Sequence, residues 1–178
     1  MESVEVERIR DRIRAAAADG RPLRIQGRGT KDFYGEALAG DPLDVRALCG
    51  IVAYAPGELV VTARAGTPLA EIEDALAAHG QMLAFEPPHH GADSTLGGIV
   101  AAGFSGPRRP HAGAVRDFVL GVRVVDGTGE VLAFGVAVES DVGAGVPPEE
   151  SAVFRLRAIE SALNGGVTAA MAVDQGGF

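Results

Sequence analysis

Tryptophan is absent from this 178-residue chain, cysteine occurs once, and there are 2 Tyr and 7 Phe. A lone Cys49 cannot close an internal disulfide, which points to a reducing compartment and to a small buried residue rather than a nucleophile. Positive charge is also scarce: 16 Lys and Arg stand against 24 Asp and Glu, for a net charge of −8 and a pI near 5.0. No basic stripe is present to release counterions from a phosphate backbone, so nucleic acid is excluded as a partner. No apolar run reaches the ~18 residues of a membrane span, and "MESVEVERIRDRIRAAAADG" is too charged for a signal peptide. A soluble cytoplasmic protein is the expectation. The hydrophobic fraction of 47% supplies apolar surface for a core. What the chain does have is glycine, 25 residues of it, and the positions of those glycines carry the reading.

Val6, Ile9, Ile13 and Ala16 recur at helical spacing and Gly20 stops them, so residues 1–20 are an amphipathic helix. "LRIQ" (Leu23 to Gln26) reads as a strand feeding the loop "GRGTKDFYG". "LDVRAL" (Leu43 to Leu48) and "ELVVTAR" (Glu58 to Arg64) read as two more strands, with Pro56-Gly57 as the turn. "AGTPLAEIEDALAAHG" is a helix with Thr67 as its N-cap, Pro68 at its first position and Gly80 beyond its end. "TLGGIVAAG" reads as a short helix capped by Thr95, its amide end open to an anion. "RDFVLGVRVVDGTGEVLAFG" is a β-hairpin. From Val136 the texture turns loop-like, and Ala152, Leu156, Ile159 and Leu163 are spaced as a last helix.

Two glycine segments hold the candidate chemistry. In the first, Gly27 and Gly29 free the backbone amides, and Arg28, Thr30 and Lys31 add cations and a hydroxyl, a set suited to a pyrophosphate. The spacing is neither that of a P-loop nor a dinucleotide G-x-G-x-x-G. In the second, "EPPHHGADSTLGGIVAAGFSGPRRP", Pro87 fixes an extended approach, while Gly97, Gly98, Ser105 and Gly106 strip side chains away ahead of Arg108 and Arg109. Each segment has a plainer reading, as an ordinary turn or as a tight helix-packing site beside a solvated Arg pair. Two such segments on separate elements favour a flat or phosphorylated ligand. His89-His90 lacks the i,i+4 spacing and third ligand of a metal site, and Asp93-Ser94 lacks a nucleophile elbow.

The stretches "LRIQGRGTKDFYG", "LDVRALCGIVAYAPGELVVTARAGTPLAEIEDALAAHGQMLAFEPPHHG" and "STLGGIVAAGFSGPRRPHAGAVRDFVLGVRVVDGTGEVLAFG" together resemble the FAD-binding subunits of bacterial glycolate oxidases, within the PCMH-type (vanillyl-alcohol-oxidase-like) flavoproteins. The resemblance implies an α+β FAD-binding domain of two lobes, the first complete (residues 21–80) and the second partial (81–135); residues 136–178, outside the resemblance, read as a divergent tail with the one helix given by the apolar spacing. It implies FAD as cofactor, with its pyrophosphate on Gly27, Arg28, Gly29, Thr30 and Lys31. Further FAD contacts would fall on Pro87, Thr95, Gly97, Gly98, Ser105, Gly106, Gly113 and Val115. Arg108 and Arg109 would meet a substrate carboxylate. It also implies a 2-hydroxy acid such as glycolate as substrate, partner subunits of an oxidase complex, and attachment at the inner membrane through those partners. No catalytic acid or base follows from it.

After Gly135 this sequence departs from the family, whose Asn-Val-Ala-Gly-Tyr-Asp stretch and following Gly-Ser-rich flavin contact have no counterpart here. The expectation is that the rest of the second lobe is missing or replaced, as in a shortened or frameshifted gene product. The alternatives are a noncatalytic remnant that binds a partner subunit, and a nucleotide-binding module without redox chemistry.

Overall fold

The computed structural model describes residues 4–36, 39–135, 153–157 and 159–160. Helix α1 (Val4–Ala18) turns Val6, Ile9 and Ala16 inward, and Gly20 ends it in the left-handed conformation that glycine adopts without strain. Strand β1 (Leu23–Gln26) then pairs in parallel with β2 (Asp41–Asp44). Val6 and Ile9 pack with Leu43 and Leu48 in a small core, against which Ile13, Leu23, Val45 and Val125 also lie.

A five-stranded sheet holds the larger core. Its order is β3 (Ile51–Ala55), β4 (Val60–Arg64), β8 (Val153–Arg157), β6 (Val119–Val125) and β7 (Val131–Gly135), and every pairing in it is antiparallel. Helices α2 (Leu69–Ala77) and α3 (Leu96–Ala102) cover it, burying Leu69, Ile72, Leu76, Leu96 and Ile99 with Val61, Phe85 and Leu156. Each such side chain, fully withdrawn from water, contributes about 1.5–3 kcal/mol before ordering costs. Shorter pieces complete the path: β5 (Gln81–Met82), which pairs with β9 (Ile159–Glu160), and the single-turn helix α4 (Arg109–Ala112). The two cores are tied where Arg10 Nε and Arg14 Nη2 of α1 donate to the carbonyl of Gly129, at 2.8 and 3.3 Å, in the β6–β7 turn.

The mixed helix and strand fold agrees with the α+β expectation, as does the β6–β7 hairpin. Five local readings are corrected. Cys49, expected to be buried, is exposed in the loop between β2 and β3. The strand expected over Leu43 to Leu48 lies at Asp41–Asp44, because the Asp44 carboxylate accepts the Arg46 amide at 2.9 Å and turns the chain. The stretch Ile51–Ala55 is itself a strand, and Pro56-Gly57 joins it to β4. Thr67 does not cap α2: its buried hydroxyl donates within the chain and accepts the Gly50 amide at 2.9 Å, while Pro68 precedes the helix. The apolar spacing read as a last helix forms strand over Val153–Arg157, with Leu156 fully buried between β4 and β6; Ala152 and Leu163 lie outside the described residues. The five-stranded sheet takes strands from both sides of residue 80.

Candidate functional site

The chain leaves β1 directly into Gly27–Lys31. Among the described residues none of these five amides has a hydrogen-bond partner within the chain. Gly29 sits at φ +68, and the Asp32 amide donates to its carbonyl at 3.1 Å, closing the turn. A cleft of about 120 Å³ opens here, lined by Gly27 to Asp32 on one side and by Ser94, Thr95, Gly98 and Ile99 on the other. That volume lies below the ~300–1,000 Å³ of a whole small-molecule site, so it suits one portion of a larger ligand.

Amides without partners, the Thr30 hydroxyl and two cations make the loop side a donor surface for an anion. Arg28 is shared with Asp93 at 3.5 Å. Lys31 Nζ donates to the Gly98 carbonyl at 2.9 Å and stands 4.3 Å over the Phe104 ring. Partial burial pushes the Lys31 pKa below the ordinary lysine value. The loop is thereby pinned to α3.

The α3 side differs from its sequence reading. Thr95 is the cap, its Oγ1 accepting the Gly98 amide at 3.3 Å. The Leu96 amide, however, is taken by the Thr67 carbonyl at 3.0 Å and that of Gly97 by the Ala65 carbonyl at 2.8 Å. The amide end of this helix is spent on the fold, and the loop holds the free donors. Gly97 also has a packing reason for lacking a side chain, since a Cβ there would lie 2.9 Å from Ala65 Cβ and its carbonyl oxygen. A Cβ at Gly27 or Gly98 would meet only Thr95 Oγ1, at 3.5 and 3.2 Å.

The remaining predicted positions lie outside the cleft lining. Pro87 is buried. Gly106 donates its amide to the Phe85 carbonyl at 2.8 Å, and a Cβ there would run into the Glu86 carbonyl oxygen. Glu86 itself has φ 43, unusual for a side-chain-bearing residue. Ser105 Oγ accepts the Val115 amide at 2.9 Å, and Gly113, at φ 104, lets the chain turn ahead of the Asp117 carboxylate that accepts the Ala114 amide at 2.7 Å. Arg108 is held by Glu86, its amide 3.2 Å from Oε2 and its guanidinium 3.9 Å from Oε1. Arg109 is exposed.

Sequence reasoning passed over a cluster beside the cleft. His90 packs its ring against Phe33 and Phe104, with centroids 6.5 and 5.2 Å away, and its backbone amide donates to Ser94 Oγ at 2.9 Å. Its Nε2 is shut off from solvent with no hydrogen-bond partner. The available signal was the pair Phe33-Tyr34 directly behind the glycine loop; both are more than three-quarters exposed, an uncommon state for two adjacent large rings.

Residues 3–135 match the family described as FAD binding domain. The chain belongs to that family, and FAD is its cofactor. The donor loop fits such a cofactor, because a diphosphate needs the unpartnered amides that Gly27–Lys31 present. One relative it resembles is "Glycolate oxidase subunit GlcE" of Escherichia coli (strain K12), 53% identical over 132 residues, which are 74% of this chain and 38% of that protein. The chain thus spans well under half the length of that relative. A D-lactate dehydrogenase of Archaeoglobus fulgidus is 38% identical over 72 residues, 40% of this chain and 16% of that one. Among solved structures, 6-hydroxy-D-nicotine oxidase from Arthrobacter nicotinovorans superposes with a TM-score of 0.63 at 16% identity, over 89% of this chain and 36% of that one. Xylooligosaccharide oxidase from Myceliophthora thermophila gives 0.65 at 19% identity, over 89% and 35%. At those identities the two structures speak for the fold alone. Among the described residues no helix is long and apolar enough to cross a membrane.

Proposed function

We propose that this chain is the FAD-binding part of a flavin-dependent oxidoreductase acting on glycolate or a related 2-hydroxy acid, working with other subunits of an oxidase complex. The observation that carries the reading is the run of unpartnered amides from Gly27 to Lys31 facing Thr95 and Gly98 across the cleft. The diphosphate lies on that run, with the Thr30 hydroxyl and the Arg28 guanidinium as further donors. Pro87, Ser105, Gly106, Gly113 and Val115 shape the backbone that the rest of the cofactor passes, and Gly97 sets the approach of α3. When bound, the flavin supplies hydride acceptance; the protein binds, orients and shields it. Of the two arginines, Arg109 is the one open to a substrate carboxylate, since Arg108 is engaged by Glu86. The substrate class and partner subunits rest on the likeness to the glycolate oxidase subunit. Residues 21–80 are taken as a first lobe and 81–135 as a partial second lobe, the second contributing β6 and β7 to a sheet that it shares with β3 and β4 of the first.

Titration of the purified chain with FAD, followed by flavin fluorescence, tests the reading. Saturable binding that a Gly98→Trp change abolishes supports it. A folded chain that leaves flavin fluorescence unchanged overturns it in favour of a second reading, a noncatalytic remnant that docks on a partner subunit. That reading draws on the end of the family match at residue 135, within the chain.

A further inference from the structure

We propose that Phe33, His90 and Phe104 form a subsite for a flat heteroaromatic ring, with His90 Nε2 as its hydrogen-bonding group. The inference rests on the FAD reading and adds to it a recognition element for one of the cofactor's two ring systems. Two independent observations converge. Among the described residues His90 Nε2 is the one buried side-chain polar atom without a partner, and an orphan of that kind costs stability unless something satisfies it. Phe33 is 79% exposed although it is a large apolar ring, and a ring held in water at the mouth of a site has a face to offer. The two rings are neighbours, with centroids 6.5 Å apart.

The cluster is joined to the diphosphate side of the cleft at two points. Ser94, which lines the cleft, accepts the His90 amide. Lys31, in the donor loop, stands over Phe104, whose ring centroid is 5.2 Å from that of His90. A ligand whose phosphates sit on Gly27–Lys31 therefore carries its nearer ring toward Phe33. Because Phe33 is the more exposed of the two rings flanking His90, it is the one that swings aside. The incoming ring then stacks on it and brings a ring nitrogen or carbonyl oxygen to Nε2. A neutral imidazole serves either partner, as donor or as acceptor. Adenine and isoalloxazine both have this chemistry, and smaller probes separate them.

The experiment is calorimetric titration of the unaltered chain, His90→Phe and Phe33→Ala with FAD, ADP, FMN and inorganic pyrophosphate, with thermal melting of each protein without ligand. His90→Phe keeps a ring and removes the orphan nitrogen, so it is expected to melt at or above the temperature of the unaltered chain while binding FAD about tenfold more weakly. Phe33→Ala is expected to weaken FAD by about five- to a hundredfold through lost stacking. Pyrophosphate affinity stays the same in both variants. Weakening of ADP in parallel assigns the ring as adenine, and weakening of FMN assigns it as isoalloxazine. FAD binding within twofold of the unaltered chain in both variants overturns the subsite and leaves the FAD reading standing. ADP binding that depends on His90, in a chain that ignores FAD, overturns the FAD reading and keeps the subsite. An unaltered chain that binds none of the four probes overturns both.

Discussion

The Lys31 ammonium reaches across the cleft to the Gly98 carbonyl, 2.9 Å away, and stands over Phe104 as it does so. This contact joins the donor loop to α3 before any ligand arrives, and it gives Lys31 a role in folding beside its expected one toward phosphate. Lys31→Met keeps the stem and loses the charge. It is expected to lower stability by about 1–2 kcal/mol, the scale of one charged hydrogen bond and one cation–π contact. Denaturant unfolding without ligand measures it; an unchanged midpoint would confine Lys31 to ligand binding.

Gly97 and Gly98 are adjacent, and their tolerance of a methyl group should differ. Gly97→Ala forces a Cβ to 2.9 Å from Ala65 and is expected to cost about 1–3 kcal/mol, as overpacking does. At Gly98 the new methyl meets only the Thr95 hydroxyl at 3.2 Å, and the helix gains roughly 0.5–1 kcal/mol from replacing glycine. Gly98→Ala should fold near-normally while weakening FAD, because its methyl projects toward the cleft lining. Parallel melts and FAD titrations of the two variants check this, and equal melting losses would refute it.

Leu156→Ala removes a fully buried side chain from the strand between β4 and β6. The expected loss is about 2–5 kcal/mol. Circular dichroism melts read it directly. A loss under about 0.5 kcal/mol would mean that residues 153–157 do not occupy the sheet in solution.

Acid stability carries a signature of Asp44. The side-chain hydrogen bond from Arg46, and then its backbone amide, hold the carboxyl down at about 2 from 3.8. The unfolded chain therefore binds the extra proton first as pH falls. The contribution is complete above about pH 4, shrinks through the interval below, and is gone under about pH 2. Asp44→Asn should flatten the fall in melting temperature between pH 4 and 2, by a small amount because the pair is exposed. An unaltered slope in the variant would show the interaction to be absent in solution.

Local chemistry was legible in the sequence where one segment decides its own conformation. Thr95 caps α3, Gly20 ends α1, and "DGTGE" turns the β6–β7 hairpin through Asp126, whose carboxylate accepts the amides of Thr128 and Glu130 at 2.8 and 2.9 Å. Long-range competition was not legible. Thr67 looks like a cap in isolation, yet Gly50 claims its hydroxyl. Leu156 and Ile159 fit a helical period, but the slot between β4 and β6 decided the conformation of Leu156, and pairing with Met82 of β5 that of Ile159, as tertiary context does for short apolar runs. The same limit applies to the site. Nothing near Leu96 and Gly97 in sequence announces that Thr67 and Ala65 will take their amides, and nothing near His90 foretells that its ring will lie between Phe33 and Phe104.

The order β3-β4-β8-β6-β7 puts the sheet's last-made strand in its middle. Two hairpins, β3–β4 and β6–β7, can zip up locally as the chain emerges, but each keeps a bare edge turned toward the other until residues 153–157 arrive. During synthesis those two edges are a temporary aggregation hazard of the kind mature proteins cover. The same short segment acts as a keystone, turning two ribbons into one sheet and sealing both edges in a single event.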